Sequence, residues 1–377
     1  MSIYIHIPFC RTACSYCDFH FSVNHDKMED LVAALIQEIE LRKNYLDVNG
    51  SRPELQTIYF GGGTPSLLQD SQLVRIMDAI RANFVISKDA EITLEANPDD
   101  LTPEKLVALK AASINRLSIG VQSFFDSHLE LMNRAHNSRM AIDAVTNAAA
   151  AGFDNITIDL IYGVPGMSES DWQANMDQAF SLPIQHLSAY SLTVENRTLL
   201  DKLIRDGKIE PVKEEEAAIH FEMLMHAAKK RGFMHYEISN FAKPGFISRH
   251  NSSYWKNLPY LGIGPSAHSY NGVSRQWNIA ANAAYILSIR KGEVPGESEL
   301  LTMENRYNEY LMTGLRTMWG VDTNEIKSNF GESFVDDFLL RSAEYVSSGD
   351  LEQHETKYII SEKGKLIADR IAAYLFR

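Results

Sequence analysis

The sequence has no apolar run approaching the ~20 residues that a bilayer core requires, which excludes a helical membrane span. It opens on "MSIYIHIPFC", without a basic segment leading into a long apolar core, so no secretory signal and a cytoplasmic location are expected. Internal repeats and low-complexity stretches are missing too, which excludes solenoid and linker-like architectures. Positive charge is in deficit: 36 Lys and Arg face 49 Asp and Glu, a net charge of −13. That balance argues against nucleic acid or an anionic membrane surface as the partner. Cysteine is scarcest of all. The chain has three, Cys10, Cys14 and Cys17, all inside "YIHIPFCRTACSYCDF". Three clustered thiols without a secretion signal point to metal ligation in a reducing compartment and exclude a disulfide framework.

What is present is an ordinary globular composition, 45% hydrophobic and 23% charged, in a length that allows one large domain and a smaller one. Six β-rich runs recur, at 3–8, 56–63, 90–97, 114–122, 155–166 and 186–195. Helical stretches separate them, with apolar residues at three- and four-residue steps. Six βα units in a row predict a parallel sheet with right-handed crossovers. Six fall short of an eight-unit barrel, so an α/β partial, open (β/α)6 TIM-like barrel is expected, with its site at the C-terminal ends of the strands. After about Tyr270 the pattern changes. A Pro/Gly/Glu linker is expected at 291–300, then three helices and a two-stranded wing, read as a winged-helix-like α+β module. The expected domains are 1–290 and 291–377. The acidity of the second reads as a structural or protein-contacting lid instead of a DNA reader.

The thiols follow the first strand with spacing C-x3-C-x2-C. One reading is a structural zinc site with His20 completing a Cys3His set. The other is an iron–sulfur cluster, which usually takes four cysteines, so that three leave one iron open. "GGGTP" (61–65) ends the second strand, and its glycines would let backbone approach a ligand closely. "HNSSYW" (250–255) sets a histidine beside Tyr254 and Trp255, a combination suited to a metal in an aromatic ring system.

Taken together, "YIHIPFC", "YFGGGTPS", "NRLSIGVQSF", "IDLIYGVPG", "YEISNFA", "HNSSYW" and "YLGIGPSAHSY" resemble one family, from Tyr4 to the C-terminus. It is the oxygen-independent coproporphyrinogen III oxidase family of the radical S-adenosylmethionine superfamily, and within it the heme-chaperone branch. The resemblance implies a radical-SAM barrel with a [4Fe–4S] cluster on Cys10, Cys14 and Cys17. It implies S-adenosylmethionine held by Tyr4, Tyr16, Gly62, Gly63, Thr64, Glu95, Gln122, Arg134 and Asp159, with the loop 261–270 lining the far side. The oxidase carries a fourth cysteine two residues after the third, where this chain has Phe19, and an extension before the first strand. Both departures imply a heme chaperone, with His250 as a heme contact and an acceptor protein, a respiratory protein being one candidate, as partner. A homodimer is a candidate assembly. The alternative that the resemblance leaves is a radical enzyme acting on a porphyrin.

Overall fold

Ile3, Ile5 and Ile7 are fully buried and alternate with the polar Ser2, Tyr4 and His6. Strands with this alternation place one row under covering helices and the other row inside the sheet's curve. The computed structural model describes residues 1–47, 53–211 and 213–377. Strands β1 (Ser2–Ile7), β2 (Leu55–Gly62), β3 (Ile86–Ala96), β4 (Arg116–Gln122), β5 (Ile156–Tyr162) and β6 (His186–Ser191) pair in parallel, in chain order. The intervening helices are α1 (Met28–Leu41), α2 (Asp70–Asn83), α3 (Pro103–Ala111), α4 (Asp126–Leu131), α5 (Ser138–Ala150) and α6 (Glu169–Ser181). Local chemistry sets their starts. Thr102 accepts from the Lys105 N–H ahead of Pro103, and Ser168 with Asp171 forms a capping box.

Beyond β6 come α7 (Leu199–Arg205), α8 (Glu214–Lys230), β7 (Met234–Glu237), β8 (Asn240–Ala242) and α9 (Arg249–Trp255). Then follow β9 (Tyr260–Ile263), β10 (His268–Tyr270), β11 (Ser274–Asn278), α10 (Asn282–Arg290) and β12 (Gly296–Leu300). All twelve strands form one sheet, ordered β12-β11-β10-β9-β1-β2-β3-β4-β5-β6-β8-β7. The parallel core therefore has a seventh member, β9 against β1, and antiparallel strands extend both edges. The stretch 291–300 is not a plain linker: its second half pairs with β11 as an exposed edge strand.

A buried network locks this late segment onto α1. The fully buried Glu38 carboxylate accepts from Arg42 at 3.3 Å, from Asn278 and the Gly264 N–H at 2.8 Å each, and from the Tyr285 hydroxyl. The rest of the chain forms a second hydrophobic core. It contains α11 (Met303–Leu315), β13 (Val321–Asp322), α12 (Thr323–Phe330), α13 (Glu332–Ser347), β14 (Leu351–His354), β15 (Lys357–Ile360) and α14 (Ala368–Leu375). Four helices and a three-stranded sheet replace the expected three helices and two-stranded wing. Backbone bonds from Ile238 to Arg316 (3.0 Å) and from Met318 to Tyr236 (2.9 Å) fasten this module to the barrel.

Candidate cluster and cofactor site

The cysteine loop leaves β1 through Pro8 and is pinned at several points. The Cys10 N–H donates to the Ser22 carbonyl at 3.0 Å, and the Ser22 N–H donates back to Pro8 at 2.8 Å. Ser15 donates through its amide to Met132 and through its hydroxyl to Leu131, at the end of α4. The three thiols are free and partly buried. Thr64 directs its hydroxyl at the Cys10 sulfur, 3.6 Å away, and Arg134 directs Nη1 at the Cys14 sulfur, 3.3 Å away. Asn97 joins these two donors. Its Oδ1 accepts from Arg134 at 2.6 Å, and its amide donates to Thr64 at 3.2 Å. Cys10, Thr64, Asn97, Arg134 and Cys14 thus form one hydrogen-bonded chain across the C-terminal ends of β2, β3 and β4.

Below this chain lie two half-buried carboxylates. Glu95 accepts from the Tyr59 hydroxyl at 2.7 Å and from the Gly62 N–H at 3.1 Å. Burial pushes its carboxyl up to about 7, against the pull of Tyr59. Asp159 accepts from Ser118 at 3.4 Å, and burial pushes it up to about 6. Arg134 retains a buried Nε–H without a partner. Tyr16 lies against Arg134, Cys14, Cys17 and Asp159 and is held in its neutral form by burial. Gln122 ends β4 with φ +65°, a strained position for a residue with a side chain.

The glycines are also needed for packing. A Cβ on Gly63 would stand 2.7 Å from the Phe9 carbonyl oxygen and 2.8 Å from the Phe9 nitrogen. One on Gly62, whose φ is +109°, would stand 2.7 Å from the His6 ring. These two residues seat β1 and the start of the cysteine loop against the end of β2.

The donor set suits a small ligand carrying both charges. Two carboxyls raised by burial are relieved by a cation, and Arg134 offers an unpartnered donor to a carboxylate. The three thiols suit a metal cluster equally: the lone polar partners of two of them are a hydroxyl and a guanidinium, both compatible with sulfide-like charge. Burial raises Cys10 and pushes Cys17 up to about 11, so their protons must leave as a metal group enters.

The Radical SAM superfamily profile matches residues 4–179, and the HemN C-terminal domain profile matches residues 301–367. Over 373 residues the chain is 36% identical to the Heme chaperone HemW of Bacillus subtilis, covering 98% of this chain and 97% of that one. The chain belongs to the HemW family of radical SAM proteins. Another relative, the Heme chaperone HemW of Escherichia coli, is 37% identical over 275 residues, covering 71% of this chain and 69% of its own. The coproporphyrinogen III oxidase HemN of Escherichia coli, a solved structure, superposes with a TM-score of 0.87, covering 100% of this chain and 89% of that one. At 24% identity the likeness to HemN is one of fold.

In this member of the HemW family the expected residues divide into two places. The three cysteines, Tyr16, Thr64, Glu95, Gln122, Arg134 and Asp159 gather toward the C-terminal ends of the strands. Tyr4 lies deeper, stacked on Tyr59 and bonded to His6 at 3.1 Å. His250 is set apart from them. It lies at the opposite end of the barrel, 1% exposed, with Nδ1 on Thr57 at 2.7 Å and Nε2 on Tyr254 at 2.9 Å. Both ring nitrogens are occupied, so no heme iron meets a free imidazole there in this conformation. His20, the candidate fourth ligand of a zinc site, has its Nε2 bonded to Asn282 at 2.7 Å. Among the described residues no set of three or more Cys, His, Asp or Glu is spaced for a single metal ion. Sequence reasoning missed Asn97 and the fully buried Arg116. Asn97 could have been found, since it is the first polar residue past the third strand. Arg116 reads in sequence as an ordinary strand-edge charge.

Proposed function

We propose that this chain is a heme chaperone carrying a [4Fe–4S] cluster on Cys10, Cys14 and Cys17, with S-adenosylmethionine bound beside it. The observation that carries the reading is the hydrogen-bonded chain from Cys10 to Cys14, which ties the thiols to the cofactor pocket through Thr64, Asn97 and Arg134. When bound and reduced, the cluster supplies one electron to the sulfonium of S-adenosylmethionine. The residues of the chain hold and orient. Arg134 binds the methionyl carboxylate through the Nε–H now without a partner. Glu95 and Asp159 receive the ammonium group and the ribose hydroxyls, and Tyr16 packs on the adenine. Thr64 and Arg134 keep donors on two of the sulfurs, which holds those thiolates in register.

Full-length similarity to relatives named heme chaperones supports heme as cargo and an acceptor protein as partner. Phe19, 71% exposed where the oxidase has a further cysteine, supports handling of heme over its synthesis. Residues up to the edge strand β12 form the cofactor-bearing unit, and the acidic module from α11 onward meets the acceptor. His250 serves as heme ligand only in a state where the Tyr254 bond has opened. Anaerobic reconstitution tests the cluster: wild type should take up a [4Fe–4S] cluster, and Cys14→Ala should not. Heme titration tests the ligand. If His250 binds iron, His250→Ala weakens heme binding and Tyr254→Phe, which frees Nε2, strengthens it. Equal affinity in all three proteins removes His250 from the site.

A further inference from the structure

Arg116 is a charged group inside the barrel that no ion pair holds among the described residues. It is 2% exposed, its Nη2 donates to the Thr157 hydroxyl, and its Nε–H has no partner. Among the described residues no carboxylate is hydrogen-bonded to it. Two acids near the base of the barrel are occupied elsewhere. Glu91 accepts from the amides of Arg249 and His250, and Glu237 accepts from Asn240 and the Ser239 amide. An isolated buried guanidinium is costly, so its counter-charge must lie within the same low-dielectric space.

The strand register shows where that charge is. Thr93 pairs with Arg116, and Glu95 pairs with Ser118. Ser118 in turn donates to Asp159, which follows Thr157 by two residues on β5. Arg116 therefore lies one pleat repeat, about 7 Å, below a serine flanked by both pocket acids. The remaining groups facing them bring no cation. Tyr4, Tyr59 and Tyr254 face Glu95, and Tyr190 faces Asp159, all as neutral phenols. His186 and His250, beside Arg116, are kept neutral by burial, as is His6 on β1. That leaves Arg116 and Arg134 as the two cations against Glu95 and Asp159. Two cations match these two acids one to one when both acids are ionised.

We infer that Arg116 is a positioning residue, the buried counter-ion that keeps Glu95 and Asp159 both ionised so that the pocket can receive a cationic cofactor. This rests on the proposal that these acids contact S-adenosylmethionine, whose sulfonium and ammonium outweigh its single carboxylate. Arg116 touches neither cofactor nor reacting atoms. It acts through the charge state of the acids above it.

The test uses the full-length chain with its cluster reconstituted, comparing wild type, Arg116→Lys and Arg116→Met. S-adenosylmethionine affinity is measured from about pH 5.5 to about pH 9, a span bracketing the two carboxyls. In Arg116→Met the midpoint of binding should move up by about one pH unit, as loss of a nearby opposite charge predicts, with affinity recovered at high pH. Arg116→Lys should stay near wild type. Infrared titration of the carboxylic-acid stretch, assigned with Glu95→Gln and Asp159→Asn, reads the same shift without cofactor. It also serves if Arg116→Met fails to fold, because wild type alone must then show both acids ionised by about pH 8. An unmoved midpoint, a loss of affinity equal at every pH, or wild-type acids still protonated there overturns the inference. Infrared shift without any S-adenosylmethionine binding by wild type would instead uphold this counter-ion role and defeat the cofactor reading.

Discussion

Replacing Asn97 by alanine should loosen the cysteine loop without touching a cysteine. The side chain makes two bonds, accepting from Arg134 at 2.6 Å and donating to Thr64 at 3.2 Å. A hydrogen bond to a charged group contributes roughly 1.5–3 kcal/mol net, and a neutral one roughly 0.5–1.5 kcal/mol. Arg134 keeps the Gly120 carbonyl at 2.9 Å as a second acceptor for the same nitrogen, so the lower half of the sum applies. The expected loss is about 2–3 kcal/mol in the barrel's urea transition, measured on the reduced apo chain. The chain has two hydrophobic cores, so the transition must be followed with a barrel-specific probe such as amide exchange in β3. A double-mutant cycle sharpens the test. Asn97→Ala and Thr64→Val remove the same bond, so their effects should fall short of additivity by at least about 0.5 kcal/mol. A cost under about 0.5 kcal/mol with full additivity would refute the linkage between the thiols and the strand ends.

Three further outcomes follow from the same coordinates. Glu38→Ala removes the counter-charge of buried Arg42 and the acceptor of Asn278, Tyr285 and the Gly264 N–H, and should cost about 3–5 kcal/mol in thermal or urea unfolding, whereas Lys229→Ala, which breaks an exposed pair with Glu362, should change stability by under about 0.5 kcal/mol. Gly63→Ala forces a methyl group against the Phe9 backbone and should cost about 1–3 kcal/mol while lowering the iron content after reconstitution. S-adenosylmethionine affinity should fall as pH drops through about 7 and about 6, where Glu95 and Asp159 take up protons, and Glu95→Gln should remove the upper step. The sign follows from the acids' raised values, since binding a cation needs the ionised form. Affinity that is flat from pH 8 to pH 5.5, or that rises on acidification, contradicts it.

The parallel core was legible because each of its strands carries alternating apolar residues and is followed by a helical period. Its polar lining was not. Tyr4, Tyr59, Thr93 and Arg116 stand side by side across β1 to β4, yet in sequence each looks like the solvent face of a half-buried strand. The seventh parallel strand, "YLGI", pairs with residues more than 250 positions away, and four residues carry too little period to announce that. "GESEL" reads as a linker because all five residues are exposed, and backbone bonding to β11 alone makes it a strand. At the site, the cysteines and most pocket residues were visible through ordered motifs. His250 was visible as a histidine beside aromatic rings, but the motif did not disclose that the barrel bonds both of its nitrogens, to Thr57 and Tyr254. Asn97 lacked any motif reading of its own, although its position just past a strand end is where such folds put chemistry.

The measurement that bears most directly on the central claim sets heme handling against porphyrin turnover in one anaerobic preparation. The reconstituted chain, with reductant and S-adenosylmethionine, is offered coproporphyrinogen III in one arm and heme plus an apo-hemoprotein in the other. Heme should bind and pass to the apo-acceptor faster than it does from free solution, with no protoporphyrinogen formed in the first arm. Sustained decarboxylation of coproporphyrinogen III, with no heme transferred, would contradict the account.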